Sequence, residues 1–508
     1  MHVPRHFLVL AGLLLVVPGR ILAKSSDSPV DYEVLRYRAK MLAASAYSEP
    51  PSRVPAWLLA PKFTYDQHRE IRFKSDRAWW LREGLPFQLQ FFHPGFIYDK
   101  TVQLNELRGD RSYPIPFDRD FFDYGKTKLE GKIPSDMGYS GFKILCALNS
   151  PDRMDELAVF QGASYFRALC TRAVYGLSAR GIAVDTVDAD GEEFPTFTDF
   201  WIRRPSLDAK EITVYALLNG PSVAGAYRFD IKPGDDTVMR IKCTLFLRKP
   251  VKVLGIAPLT SMYWHGENSG CRFDDFRPEV HDSDGLMIAH GGGEWLWRPL
   301  TNPKSVATAS FADQNPKGFG LLQRDRHFSS YEDLEANYNM RPSAWVEPIG
   351  DWGKGCVRLV EIPTPDETND NIVAFWQPEV LPAPGEPIEF EYRLHWFLKG
   401  INPPAGYTIA TRKGRSMTHE VNLERFLVDF DGPYLHNQPD DPAIKAVISV
   451  GPGATLMNQT VQKNHYNGSW RVAFALRPDG SGRPVELRCF LEKPPHVLTE
   501  TWSYRWNP

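Results

Sequence analysis

Short runs in which apolar and polar residues alternate, each closed by Gly, Pro, Asn or Asp, recur along this chain and restrict it to folds built from antiparallel sheets. Residues 211–218 (EITVYALL), 226–231 (AYRFDI), 239–247 (MRIKCTLFL) and 388–396 (IEFEYRLHW) all have this form. Successive side chains of a strand point to opposite faces, so a period of two offers one face to a core. Strands do not alternate regularly with helices, which argues against a doubly wound sheet and for packed sandwiches. The expected fold class is therefore all-β. Three helices are expected beside the strands. Residues 30–47 place Val34, Tyr37, Met41 and Leu42 near helical spacing before Pro50 and Pro51. A second helix is expected over 152–169. A short third one follows Ser329 and Ser330, each of which resembles the start of a capping box.

The turn-rich stretch 399–406 (KGINPPAG) follows a strong strand signal and is the best boundary in the chain. Beyond it lie about 100 residues with several short strand candidates, the size and texture of an immunoglobulin-like sandwich. At the other end, His2 and Arg5 precede an apolar run over 7–17, and Ile21-Leu22-Ala23 forms a small-residue cleavage site. Residues 1–23 read as a signal peptide of an exported protein whose mature chain starts near Lys24.

A net charge of -3 with both signs interspersed argues against nucleic acid and against an anionic membrane as main partner. Six cysteines show no metal-ligand spacing, and an exported location permits disulfides without indicating any. The chemistry is carried by two acidic stretches. Residues 272–293 (RFDDFRPEVHDSDGLMIAHGGG) crowd four aspartates, a glutamate, two histidines and two arginines ahead of three glycines, and 361–376 (EIPTPDETNDNIVAFW) puts four carboxylates on a proline-broken loop before an apolar run. Carboxylates facing each other across a cleft are what glycosidic hydrolysis needs, one protonated to release the leaving oxygen and one ionised to activate water.

Asp370, between Asn369 and Asn371 at the mouth of a buried strand, would be partly desolvated and so a usable acid; the alternative is an Asx-turn residue. Asp282 and Asp284 flank Ser283 in a loop, where one can serve as a base and the other accept hydrogen bonds from backbone or from Arg277. His281 beside them also suits a divalent ion. Neither stretch has the spacing of a calcium loop, and no metal or cofactor is assigned. Trp264, His265, Trp295, Trp297, Trp345 and Trp352 are candidates for stacking on sugars, with core filling the alternative for each. Glu267, Glu294, Arg298, Arg326 and Arg341 are available for hydroxyl groups. Alternation over 294–298 sets Trp295 and Trp297 on one face and Glu294 and Arg298 on the other, and only one face can line a cleft.

Several long segments, among them GEEFPTFTDFWIRRP (191–205), APLTSMYWHGEN (257–268), DFRPEVHDSDGL (275–286) and DWGKGCVRLVEIPTPDETNDNIVAFW (351–376), resemble the periplasmic osmoregulated glucan biosynthesis proteins G and D of Gram-negative bacteria. The resemblance covers most of the chain and is weakest after about residue 400. It implies a large galactose-mutarotase-like β-sandwich over 24–398, a linker at 399–406, and an immunoglobulin-like domain over 407–508. It also implies a periplasmic enzyme acting on β-1,2-glucan, as an inverting hydrolase or a transglycosylase. By resemblance Asp370 is the general acid and Asp282 the general base. Protons would travel through waters and a substrate hydroxyl near Tyr338. A non-catalytic scaffold that takes glucan from an inner-membrane glucosyltransferase, and a homodimer, are compatible with the same resemblance.

Overall fold

The computed structural model describes residues 29–269, 274–415 and 423–508. The expected signal peptide lies outside them, as does Cys271. The architecture is nearly all β, with 48% of residues in strands and 8% in helix, so the fold class read from the alternating runs holds. No described helix is long and apolar enough to cross a membrane.

One sheet of fifteen strands forms the spine. It starts at Lys445–Val450, Val485–Lys493 and Thr501–Trp506, crosses to Trp295–Pro299, Gly285–Ala289, Gly318–Leu322, Ser343–Ile349 and Pro387–Phe397, and continues through Asp236–Leu247, Val223–Lys232 and Ile212–Asn219 towards its far edge. The crossing is a short parallel pairing, Leu296 with Thr501 and Trp297 with Trp502. The C-terminal hundred residues are thus joined to the rest through backbone pairing as well as through side chains.

Each end of the spine is covered by a second sheet. A ten-stranded sheet that includes Gly141–Ser150, Arg153–Gln161, Tyr165–Ala168, Ser178–Arg180, Leu254–Ser261 and Ile372–Pro378 covers the larger part. Phe142 meets Phe200 and Phe160 meets Phe229 across the gap, with ring centroids 5.0 and 5.2 Å apart and edge-to-face. A four-stranded sheet, Tyr407–Arg415, Glu424–Asp431, Trp470–Pro478 and Ala454–Lys463, covers the C-terminal end, where Phe426 and Phe474 pack on Trp502. Two sandwiches therefore share one sheet. The stretch 399–406 leads from the spine to the four-stranded cover, and Gly406 is stitched to Leu498 and Glu500 by backbone hydrogen bonds of 2.8 and 2.7 Å.

Of the expected helices, only the first forms as such. Tyr32–Ala44 starts on an Asp31 cap whose carboxylate accepts from the Val34 amide. It buries Tyr32, Leu35, Ala39 and Ala43 against the outer face of the spine, whereas Tyr37 and Met41, expected on the apolar face, are exposed. Residues 152–169 instead form the strands Arg153–Gln161 and Tyr165–Ala168. The first pairs as a hairpin with Gly141–Ser150, and left-handed backbone at Gly162 and Ala163 turns the chain into the next strand. Sheet pairing with both neighbours overrides local helical spacing here. In place of the third helix the chain makes two short 3₁₀ turns, Phe328–Ser330 and Tyr338–Met340. Asp333, expected to cap a helix, accepts instead from the Glu335 and Ala336 amides and from Arg277.

Candidate active site

Both catalytic candidates hang from consecutive residues of one segment. The Asp282 amide donates to the Met262 carbonyl at 2.8 Å, and the buried Asn371 side chain brackets Tyr263, accepting from its amide at 2.8 Å and donating to its carbonyl at 3.0 Å. The Asn371 side chain also donates to Ile362, closing the loop 363–370 at its base. Asp370 is thus held at the end of a pinned loop, yet it is exposed. The burial expected for it falls on Asn371, and the turn expected of it is made by Asp366, which accepts from the Thr368 amide and hydroxyl.

Asp282 is buried and accepts a charge-assisted hydrogen bond from Arg341. Burial pushes its pKa up, Arg341 pulls it back, and the Asp370 carboxylate pushes it up again, which places the two aspartates within electrostatic reach of each other. The Arg341 guanidinium also lies over the Tyr338 ring at 4.2 Å. Arg326 positions it from behind, donating to the carbonyls of Asn339 and Arg341 and to the Ser343 hydroxyl. Trp264 packs with Tyr331 and Tyr338, and its ring meets that of His265 edge-on at 5.0 Å.

Tyr338 donates its hydroxyl proton to Glu367. Glu367 in turn accepts from Arg277 at 2.7 Å, and Arg277 binds Asp275 at 2.7 Å and Asp333 at 3.0 Å. One guanidinium thereby ties together the loops that carry Asp275, Asp333 and Glu367. Of the two partners expected for the Asp282–Asp284 pair, backbone or Arg277, Arg277 bonds to neither aspartate. Glu367 was not singled out from sequence; its signal was only membership of the acidic run that ends in Asp370.

Asp284 faces away from this cleft. Its carboxylate accepts from the Arg324 and Asp325 amides and lies 3.4 Å from His281 Nδ1. With Glu267, Glu279 and Asp325 it lines a cavity of about 40 Å³ between the two sandwiches. Burial pushes Glu267 up to about 8, and burial together with Asp284, Glu279 and Glu267 pushes Asp325 up. Burial lowers the pKa of His281, but Asp284 and Glu279 outweigh it and bring the imidazole to about 9. Glu279, His281 and Asp284 hold ligand-type atoms within 4.8 Å of one another. The Gln323 amide nitrogen donates to the His281 and Tyr338 carbonyls, so its oxygen faces His281 Nδ1 at 2.9 Å, while His281 Nε2 faces Glu279 at 2.8 Å. Both ring nitrogens therefore donate, and in this arrangement neither offers a lone pair to a metal.

The remaining candidates lie elsewhere. Trp295 stacks on Trp345 at 5.8 Å, and Arg324 lies 3.6 Å over Trp297, all within the core between the sandwiches. Trp297 lies against Gly285 and Trp345 against Gly318, where a Cβ would come within 2.4 and 2.2 Å of the rings. Glu294 binds Arg488 and Thr501, and Arg298 binds Glu486 at 2.7 Å, so both bond to the C-terminal strands. Trp352 fills the main core against Trp376, Phe390 and Tyr392. The five described cysteines form no disulfide with one another.

A family model described as "Periplasmic glucan biosynthesis protein, MdoG" matches residues 30–506. "Glucans biosynthesis protein G" of Ralstonia nicotianae is 49% identical over 479 residues, which cover 93% of this chain and 95% of that protein. The protein of the same name from Pseudomonas aeruginosa (strain LESB58) is 46% identical, covering 92% and 91%. That of Pectobacterium carotovorum subsp. carotovorum is 43% identical over 476 residues, covering 92% and 91%.

Proposed function

The chain belongs to the MdoG family of periplasmic glucan biosynthesis proteins, and from that membership we propose that it is an inverting glycoside hydrolase that cuts linear β-1,2-glucan. Asp370 serves as general acid and Asp282 as general base. The observation that carries this reading is the convergence of the two aspartates, from separate loops anchored at Met262 and Tyr263, beside Arg341 and Tyr338.

The two carboxylates are in unequal surroundings, which is what an acid and a base need. Arg341 supports the ionised form of Asp282 inside a buried site, so this aspartate can take a proton relayed from the attacking water. Asp370, exposed at the end of its pinned loop, can meet a leaving oxygen brought in by substrate. Tyr338 spends its proton on Glu367, and its oxygen lone pairs are left to accept from a water or a sugar hydroxyl. Separate positions for acid, base and an intervening hydroxyl suit a proton path through water and substrate.

The test is incubation with linear β-1,2-glucan, following product size by chromatography and anomeric configuration by proton NMR, with Asp282→Asn and Asp370→Asn alongside. Short products of inverted configuration, lost in both variants, are expected. Products of changed size without new reducing ends would replace hydrolysis by transglycosylation. An Asp370→Asn protein with wild-type activity would remove the acid assignment.

A further inference from the structure

We propose that the carboxylates of Glu267, Glu279, Asp284 and Asp325, with the Thr408 hydroxyl, bind one divalent cation of the calcium class in the cavity between the two sandwiches. The site is separate from the catalytic cleft and does not depend on the function proposed there.

An acidic cluster alone does not point to an ion, but two polar groups without partners do. The Thr408 side chain lines the cavity, is buried with the residue only 2% exposed, and its hydroxyl makes no hydrogen bond. The Asp325 carboxylate also lines the cavity and has neither a hydrogen bond nor an ion pair among the described residues. The Asp325 backbone is matched, its amide donating to Asp284 at 2.8 Å and its carbonyl accepting from Tyr331 at 3.2 Å, so only the side chain is left over. Buried polar groups of a folded protein are matched by protein, water or an ion, and a carboxylate taken out of water without a partner is costly. The neighbouring cations are already committed. His281 is shared between Glu279 and Asp284 at 2.8 and 3.4 Å, Arg324 pairs with Glu500 at 2.6 Å, and Arg412 is divided between Glu267 and Asp429 at 2.8 and 3.2 Å.

Size and donor type select the ion. A cavity of about 40 Å³ admits an ion with a water or two and excludes an organic molecule. Ligand-type atoms of Glu279 and Asp284 lie within 4.8 Å of each other, a span that one ion closes at calcium–oxygen distances of about 2.4 Å. Both His281 nitrogens donate, to Gln323 and to Glu279, so the donor set is all oxygen, which suits calcium or magnesium better than zinc or copper. Asp284 precedes the strand Gly285–Ala289 and Asp325 follows Gly318–Leu322, both in the spine, whereas Thr408 belongs to Tyr407–Arg415 of the four-stranded cover. Ligands gathered from separate loops of two sheets form an irregular set. The flexible coordination of calcium tolerates such a set better than the strict octahedron of magnesium. An ion held there pins the C-terminal cover to the spine.

Calorimetric titration of the full chain with calcium chloride, after EDTA treatment and dialysis, tests this alongside thermal unfolding with and without the ion. One calcium per chain should bind with a Kd below about 1 mM, the weak end of protein calcium sites, and a hundredfold excess over Kd should raise the melting temperature by about 3 °C. Magnesium should bind more weakly. Asp325→Asn should weaken calcium binding about tenfold or more, the loss of a charged ligand, and leave the EDTA-treated protein no less stable at neutral pH, because it breaks no bond; a merely structural role would lower the melting temperature with and without calcium. Thr408→Val, which keeps the shape, should weaken binding about fivefold, the loss of one neutral oxygen partner. Neither heat nor a melting shift at about 10 mM calcium, ten times the weakest Kd expected, would overturn the site and leave protons and water to match these groups. Binding that survives Asp325→Asn would place the ion elsewhere and overturn it equally, and displacement of calcium by less zinc would bring His281 in as a ligand and overturn the all-oxygen set. None of these outcomes touches the catalytic assignment.

Discussion

Asp282 and Asp284 are two residues apart and belong to different electrostatic regimes. In the cleft, arginines accompany the carboxylates: Arg341 on Asp282, and Arg277 on Glu367, Asp275 and Asp333. In the cavity between the sandwiches, Glu267, Glu279, Asp284 and Asp325 crowd around His281, while the nearby Arg324 spends its charge on Glu500 and Arg412 is shared between Glu267 and Asp429. In the first arrangement arginines favour the ionised carboxylates; in the second, burial and crowding raise the pKa values of Glu267 and Asp325. Acidic density alone does not mark a catalytic centre; the supply of cations around it separates the two uses.

The largest expected effect compares neighbours. Asp282→Asn and Asp370→Asn should lower kcat/KM on β-1,2-glucan by about 10²–10⁴-fold, the usual worth of a general acid or base, whereas Asp284→Asn should cost far less. The reverse ranking would dissolve the distinction between the two regions. Next, Arg324→Met should destabilise the protein by about 3–5 kcal/mol in denaturant unfolding, because it leaves the buried Glu500 carboxylate without its cation. A change within the error of the measurement would show that the joint does not depend on this pair. A smaller effect is expected for Glu367→Gln, which weakens the Tyr338 anchor. Here kcat should fall about tenfold, the loss of one hydrogen bond to a charged group, with KM moved less, and a rise confined to KM would assign Glu367 to binding alone.

The smallest effect sharpens the cavity itself. Glu267, Asp325 and His281 all have raised pKa values in the folded chain, Glu267 reaching about 8 and His281 about 9. Groups of this kind stabilise the fold fully below their unfolded pKa values and lose that contribution as pH climbs through the folded ones. The melting temperature should therefore fall between about pH 6 and pH 9. Asp325→Asn, which removes one of the crowded carboxylates, should flatten that fall. An unchanged slope would mean that the cluster does not govern stability there.

The alternating runs made the all-β class legible because strand periodicity is local, and the runs read from sequence all lie within strands of the spine. Residues 152–169 misled for the converse reason. Their spacing is ambiguous, and the decision fell to the strands on either side. The two acidic stretches stood out in the sequence, and Asp282, Tyr338, Arg341, Arg326 and Trp264 lie together, with Asp370 within electrostatic reach of Asp282. The division of the first stretch between a cleft and an interior cavity was not legible, since it depends on how the loop between Val280–His281 and Gly285–Ala289 turns each carboxylate.

By itself the sequence determined the class of fold, the family, and the two segments that bring carboxylates to the site, because periodicity and motif are properties of neighbouring residues. Only the tertiary structure decided which carboxylates receive an arginine, that Trp295, Trp297 and Trp345 join the sandwiches, and that Tyr98, Tyr165 and Tyr175 line an open cavity. Burial and pairing arise between residues far apart in the chain, and it is they that set the charge state of an aspartate and whether the face of a ring is free.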